Sequence, residues 1–536
     1  MNDSQADNSL LGSVLDSSGN RATCELDLDA LKSSRKGADL AQLEGSSVGA
    51  LAKITVADRR LFGTITKIST APEKESKVIA EIEYIGEGVA GADGKLMRFS
   101  RGLSVYPHPG DELRFASQSD LEVIYSPQDI AHVQIGTVYP TDHVRAPVLF
   151  DKLLGRHFAV VGSSGSGKST ATALILNKVI DAAPQSHIII LDPHGEYSRA
   201  FETRGEVWDA SNLHIPYWVM SLQEHCEAFI TSSGDSRAID VNIMAKCLVR
   251  ARLKNPEITN AMKVTADSPI AYQLQDLLDA FDDEVGRLEK AADAHHYIQL
   301  KMNIEQSFSD RRYHFIFNDA HWDISLPQLL GDLLRIPVDG KPVSIIDLAG
   351  VPSEIVKVVV STVSRLIFDY AVWVPPERRV PILFVCEEAQ RYLPRVHSGA
   401  VVSAERQLDR IAREGRKYGV CLGLITQRPS ELSETALSQC GTVISLRLNN
   451  EQDQAQMKAI LSEGARSFVD VIPALQNQEC IVTGEGVPVP MRVEIDTLEE
   501  HLRPASDDPI FSERWNDNTA DRSLLEQTVQ RWREDI

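Results

Sequence analysis

The sequence predicts an α/β protein: a parallel sheet covered by helices, preceded by a small β-barrel and carrying a helical insertion. Three patterns carry that expectation. From Arg156 onward, short apolar runs alternate with helical segments, as in a parallel sheet built from strand–helix units. Before about residue 125, short β-branched runs are separated by Gly, Pro and Asp turns. Between the second and third apolar runs, from about 215 to 335, lies a long stretch rich in helix formers.

In chain order, the barrel is expected within residues 1–125, with runs at Ala52–Val56, Phe62–Ile68 and Val78–Tyr84 and a turn beginning at Tyr106. A connector with Pro127, Pro140 and Pro147 is expected over 126–155, then the α/β domain with its helical insertion over 156–500. Its candidate strands are Phe158–Val161, His187–Leu191, Val343–Asp347, Ile382–Cys386, Cys421–Thr426 and Val443–Leu446, apolar on both faces as central parallel strands are. Glu479–Thr483 and Met491–Ile495 read as a hairpin. Residues 501–536 form a tail whose helix, from about Asp521 to Arg533, places Leu524, Leu525, Val529 and Trp532 on one face. That face docks on either a neighbouring copy or its own domain.

Composition narrows the classes. With 536 residues, about three folding units are expected. A net charge of −21 argues against a surface that coats nucleic acid throughout, so any DNA contact is local. Seven cysteines without a CxxC pair suit a reducing compartment. The N-terminus shows no basic region followed by an apolar run, and Glu354–Pro376 is interrupted by Lys357, Arg365 and Asp369, so it reads as a buried helix and not a membrane span. A cytoplasmic protein is expected.

The strongest motif is GSSGSGKST: Gly162, Ser163, Ser164, Gly165, Ser166, Gly167, Lys168, Ser169 and Thr170. It fits G-x-x-x-x-G-K-[ST], following an apolar strand and opening a helix. Glycines allow positive φ, which turns successive N–H groups inward as an anion nest. The helix N-terminus adds its dipole. Lys168 is expected to reach the β- and γ-phosphates of ATP, and the Ser169 hydroxyl to ligate Mg²⁺.

ILFVCEEAQ, from Ile382 to Gln390, is an apolar strand ending in two acids. One strand-tip carboxylate can hold the metal shell and the next can activate water; Glu387 is assigned the first role and Glu388 the second. Gln427, ending the next strand, sits where a γ-phosphate sensor belongs. Asp192, His194 and Glu196 close the second strand, although Asp-Pro-His-Gly is also an ordinary turn. His194 has no Cys or His at zinc-ligand spacing. Lys246, Arg250, Arg252 and Lys254 are clustered in the insertion and are candidates for DNA-backbone contact or for a solvated face.

Several ordered segments resemble the HerA/FtsK superfamily of hexameric translocases, and the HerA family in particular. They are KLLGRHFAVVGSSGSGKS from Lys152, LDPHGEYSRAF from Leu191, DRRYHFIF from Asp310, VSIIDLAGVP from Val343, VCEEAQRYLP from Val385 and IAREGRKYGVCLGLITQRPSEL from Ile411. The resemblance spans about 150 to 500, and the barrel before it is similar to that family's. It implies a RecA-like core in a homohexameric ring that hydrolyses ATP between subunits and threads double-stranded DNA as a translocase or helicase. It also implies an effector partner, a nuclease or an NAD hydrolase, in end processing or antiviral defence. Arg413 or Arg416, with Arg413 favoured, is then the arginine that reaches a neighbour's nucleotide, and Arg156 also matches a family arginine near it. Gln390 departs from the family, which often carries His there.

A GTPase is disfavoured because NKVID, from Asn177, lies in the helix directly after the P-loop. A scaffold ring in which hydrolysis is secondary remains the alternative.

Overall fold

The computed structural model describes residues 10–27, 49–71, 74–91, 95–127, 130–139, 141, 143–287, 294–396, 403–461, 463–505, 511–516 and 521–534. In chain order the strands are β1 (Leu10–Ser17), β2 (Arg21–Leu26), β3 (Leu51–Val56), β4 (Arg59–Ala71), β5 (Lys74–Ala90), β6 (Leu96–Arg101), β7 (Glu112–Phe115), β8 (His132–Val138), β9 (Arg145–Leu149), β10 (His157–Val161), β11 (Ile188–Asp192), β12 (Gly205–Trp208), β13 (Val343–Asp347), β14 (Ile382–Cys386), β15 (Val420–Thr426), β16 (Cys440–Ser445), β17 (Glu479–Gly484) and β18 (Met491–Ile495). The longer helices are α1 (Gln118–Tyr125), α2 (Lys168–Ala182), α3 (Leu222–Phe229), α4 (Gly234–Leu253), α5 (Leu274–Val285), α6 (Ala294–Ser309), α7 (Leu326–Leu334), α8 (Ser353–Trp373), α9 (Ser403–Tyr418), α10 (Glu451–Ile460) and α11 (Arg522–Glu534). The chain divides into two compact units, Met1–Ala183 with Cys421–Glu499, and Pro184–Val420 with Glu500–Ile536.

In the first unit, β2-β1-β7-β3-β4-β5 close into a barrel through the β2–β5 pairing, and β6 adds to β5. The 17-residue β5 serves both jobs: Val78–Glu83 pair with β2, and Gly86–Ala90 with β6. Alternation explains the barrel core. Ala52 and Ile54 of β3 point in beside Leu61, Ile65, Ala80, Ile82 and Leu113, all nearly fully buried. The unit's other sheet portion runs β15-β10-β16-β17-β18-β8-β9. β10 lies parallel between β15 and β16, and every residue of β10 and β15 is buried, as strands covered on both faces must be. The stretch expected as a connector thus supplies two strands. β8 joins β18 through Val138↔Val493, and β9 joins β8 despite Pro147, which sits on the outermost strand, where a missing N–H breaks no ladder.

In the second unit β12-β13-β11-β14 are parallel neighbours. The expected strands Val343–Asp347 and Ile382–Cys386 form as read. β12 was not anticipated, because its four residues include Gly205 and Glu206 and lack an apolar run. The insertion is helical, as its composition suggests, and contains α3 to α7. Its interior is polar in places: Glu224 is fully buried against Arg365, with Nη2 to Oε2 2.8 Å and the Ser361 hydroxyl donating at 2.7 Å. Arg365 holds the Glu224 carboxyl below its usual range although burial pushes the other way.

The basic cluster of α4 does not form one free face. Lys246 and Arg250 both pair with Glu284, and Lys254 lies 3.3 Å from Asp276 and 3.0 Å from Asp279. Arg252 faces the other way, is fully buried, and donates to the carbonyl oxygens of Thr265, Ala266, Trp218 and Met220. It cannot touch DNA, because one turn of helix separates 246, 250 and 254 while residue 252 falls on the opposite side.

α8 is a buried amphipathic helix, and among the described residues no helix is long and apolar enough to cross a membrane. α11 forms where expected, with Leu525 and Trp532 66% and 67% exposed. All seven cysteines are unpaired, six of them buried and Cys440 half-buried.

Candidate functional site

In the first unit, β10 runs directly into the glycine-rich turn that opens α2. Gly165 and Gly167 have φ of +73° and +93°, values that an L side chain adopts only with strain. Gly162 is required for a different reason: a Cβ there would stand 2.5 Å from Ser166 Oγ and 2.9 Å from Leu446 Cβ. The turn is tied down where it meets the sheet. Ser163 N donates to the Arg447 carbonyl at 2.9 Å, Ser166 N to the Ser163 carbonyl at 3.1 Å, and Asn449 N to Ser163 Oγ at 3.1 Å.

No side chain caps α2, so its first-turn N–H groups keep their donors for a ligand. Lys168 is 8% exposed, whereas Ser164, Gly165 and Gly167 face solvent and Ser169 and Thr170 are half-buried. The buried Ser166 hydroxyl has no hydrogen-bond partner. Such a cradle fits a polyanionic phosphate chain, with the Ser169 hydroxyl positioned on the helix's first turn for a divalent cation. Gln427 follows β15 and is half-buried; Thr426 beside it accepts from Gly162 N at 3.3 Å through its carbonyl.

Arg156 belongs to the same unit but lies at the other end of β10. The five residues of β10 separate it from the turn, about 17 Å at the usual rise per strand residue. Its own P-loop is therefore out of reach, and Arg156 Nη1 instead lies 2.5 Å from Glu485 Oε1.

In the second unit, three parallel strands end in acids. Asp192 of β11 and Asp347 of β13 are register partners, and Glu387 and Glu388 follow β14. Glu387 and Glu388 are 2% and 5% exposed. Glu388 has φ +50° and ψ +46°, a left-handed conformation that costs a non-glycine residue free energy and recurs at functional turns. A short 3₁₀ turn follows and lets the Gln390 amide donate to the Glu388 carboxylate.

Glu387 is held by a residue that the sequence patterns did not single out. The Tyr197 hydroxyl donates to Glu387 Oε2 at 2.7 Å, and the Tyr197 backbone N–H donates to Asp192 Oδ2 at 2.8 Å. Asp192 also accepts from His194 N at 3.3 Å. Burial pushes the Asp192 carboxyl above its usual range, opposed by these amides. The LDPHGEY segment is thus both a turn and a brace: Asp192 fixes the single helical turn Tyr197–Ala200, and that turn aims Tyr197 at Glu387. Glu196 is half-buried and its carbonyl accepts from Ala505 N at 2.9 Å, while His194 is exposed, 3.4 Å from Arg391 Nη2. Sequence spacing could have flagged Tyr197 only as the fifth residue after a strand-final acid.

Arg413 and Arg416 are exposed on α9. Arg413 Nε lies 2.8 Å from Asp409 one turn earlier, an exposed pair that releases its guanidinium at little cost. Arg410 on the same helix packs over Phe368 of α8 at 4.5 Å, fixing the rotation that presents 413 and 416 outward.

Residues 133–367 match the family model described as "Helicase HerA, central domain". The chain is 26% identical over 446 residues to the DNA double-strand break repair helicase HerA of Pyrococcus furiosus, covering 76% of this chain and 78% of that one. It is 25% identical over 486 residues to the relative of the same name from Sulfurisphaera tokodaii, covering 85% and 90%. Among solved structures, VirB4 of Thermoanaerobacter pseudethanolicus aligns over 70% of this chain and 99% of that chain, with a TM-score of 0.48 and 13% identity.

Proposed function

We propose that this HerA-family chain is an ATP-driven translocase of double-stranded DNA that works as a homohexameric ring and drives or regulates a partner effector, a nuclease or an NAD hydrolase. The observation that carries the reading is the cradle at Gly162–Thr170, a strand-to-helix turn with two left-handed glycines, a buried lysine and uncapped helix donors.

In this reading the P-loop amides and Lys168 bind the β- and γ-phosphates of ATP and draw charge from them as it develops. Mg²⁺, when bound, would supply positive charge that offsets the charge developing on the phosphates. Ser169 and Glu387 would hold its coordination sphere, with Tyr197 orienting the Glu387 carboxylate. Glu388 takes the proton of the attacking water, and Gln427 reports the presence of the γ-phosphate. Arg413, Arg416 and Arg156 are the groups available to a neighbouring copy. Each is at least partly exposed, and Arg156 faces away from its own P-loop.

The test is ATP hydrolysis by the purified protein with and without linear duplex DNA, alongside Lys168→Ala and with its mass in solution recorded. A hexamer whose hydrolysis rises with DNA and disappears in the variant supports the motor. Hydrolysis that ignores DNA, or that needs a partner protein, supports a nucleotide-dependent scaffold ring in its place.

A further inference from the structure

Arg156 is held by its own chain in a built cradle. The turn after β17, Gly484-Glu485-Gly486, lies against the start of β16. Glu485 N donates to the Gly441 carbonyl at 2.8 Å, and Gly486 N to Thr442 Oγ1 at 3.0 Å. Two glycines permit that approach: a Cβ on Gly484 would stand 2.1 Å from the Gly441 carbonyl oxygen, and one on Gly486 2.4 Å from Thr442 Oγ1. Gly441 makes room for the Arg156 stem, where a Cβ would meet Cδ at 2.8 Å. The result is the contact between Glu485 and Arg156.

The barrel grips the same turn from its other side. Arg101, the last residue of β6, donates to the carbonyl oxygens of Gly484 at 2.9 Å, Val487 at 2.5 Å and Pro488 at 2.5 Å. Three carbonyls on one guanidinium fix the turn's position relative to the barrel edge. Arg101, Glu485 and Arg156 thus form one chain of contacts from barrel to sheet within the first unit.

We propose that Glu485 is a positioning residue that parks Arg156, and that Arg101 sets how firmly it does so. The inference rests on the reading of Arg156 as a group that serves a neighbouring copy's nucleotide. A carboxylate beside that guanidinium would be repelled by the triphosphate, so Arg156 must exchange Glu485 for phosphate when it engages. Both side chains are over a third exposed, which makes the pair easy to exchange and sensitive to salt.

The experiment compares steady-state ATP hydrolysis by the full-length protein carrying Glu485→Gln, Glu485→Asp or Arg101→Ala, each with and without Arg156→Ala, and follows thermal unfolding in parallel. Glu485→Gln is expected to lower KM for ATP about two- to five-fold, the range for an exposed ion pair, with kcat retained. Arg101→Ala shifts KM in the same direction, Glu485→Asp restores it, and rising salt closes the gap to the native protein. With Arg156→Ala present, none of the three changes KM. An unchanged KM in Glu485→Gln, or the same change with and without Arg156, overturns the parking role. If Arg156→Ala alone hydrolyses ATP like the native protein, the assignment of Arg156 itself fails, and the parking role fails with it.

Discussion

The phosphate cradle of the first unit is made of backbone, whereas the acidic strand ends of the second are side chains held in place by other side chains. Gly165 and Gly167 set the direction of N–H groups by their dihedral angles alone, and Ser163 is fastened by its own N–H to the Arg447 carbonyl and by its hydroxyl, which accepts from the Asn449 N–H. Glu387, by contrast, depends on Tyr197, which depends on Asp192. A backbone device fails through strain and a side-chain relay fails through loss of orientation, so the two regions should respond differently to substitution.

The largest effect belongs to the acids. Glu388→Gln is expected to slow hydrolysis by about 10²–10⁴-fold, the usual contribution of a general base, while nucleotide binding survives. Single-turnover hydrolysis beside equilibrium binding of ATP measures both; equal loss of binding and rate would place Glu388 in the binding machinery.

Tyr197→Phe tests the relay. Removing an outer partner of a metal-holding carboxylate commonly costs about 10–100-fold in metal affinity. The Mg²⁺ concentration for half-maximal hydrolysis should rise by that order, and Mg²⁺-dependent protection of the folded protein against heat in the presence of ATP should weaken in step. A defect that saturating Mg²⁺ does not relieve would argue that Tyr197 only packs.

Gly167→Ala gives the smallest effect. Forcing alanine into a left-handed dihedral costs about 1–2 kcal/mol, so ATP binding should weaken about ten-fold. Isothermal titration with and without Mg²⁺ should show the same ratio in both conditions. That indifference to metal is what separates a backbone lesion from the Tyr197 lesion.

The same contrast explains what the sequence disclosed. The P-loop was legible because its chemistry lies in residues that are neighbours in the chain: strand, glycines, lysine and helix all fall between His157 and Ala182. The strands β13, buried up to its final Asp347, and β14, buried throughout, were legible for a similar reason, since apolar residues on both faces mark a parallel interior. Tyr197 was not legible, because its partner is 190 residues away and a tyrosine after a turn ordinarily packs in a core. β9 was hidden by Pro147, which an edge strand tolerates, and β8 by the prolines that flank it in the sequence. The charges of α4 were visible, but their pairing with Glu284, Asp276 and Asp279 required the helix packing.

The burial of the native thiols has a practical consequence for spectroscopy. Loss of solvent pushes Cys24, Cys226 and Cys247 up to about 12, so these sulfurs stay protonated and slow to alkylate at neutral pH. Cys440 is half-buried where the other six are buried, although loss of solvent pushes its thiol up to about 12 as well. A maleimide dye aimed at a cysteine introduced for Met97, 64% exposed on β6, therefore needs only Cys440→Ser as background. Barrel movements during turnover can then be watched by fluorescence in a chain that keeps its other six cysteines.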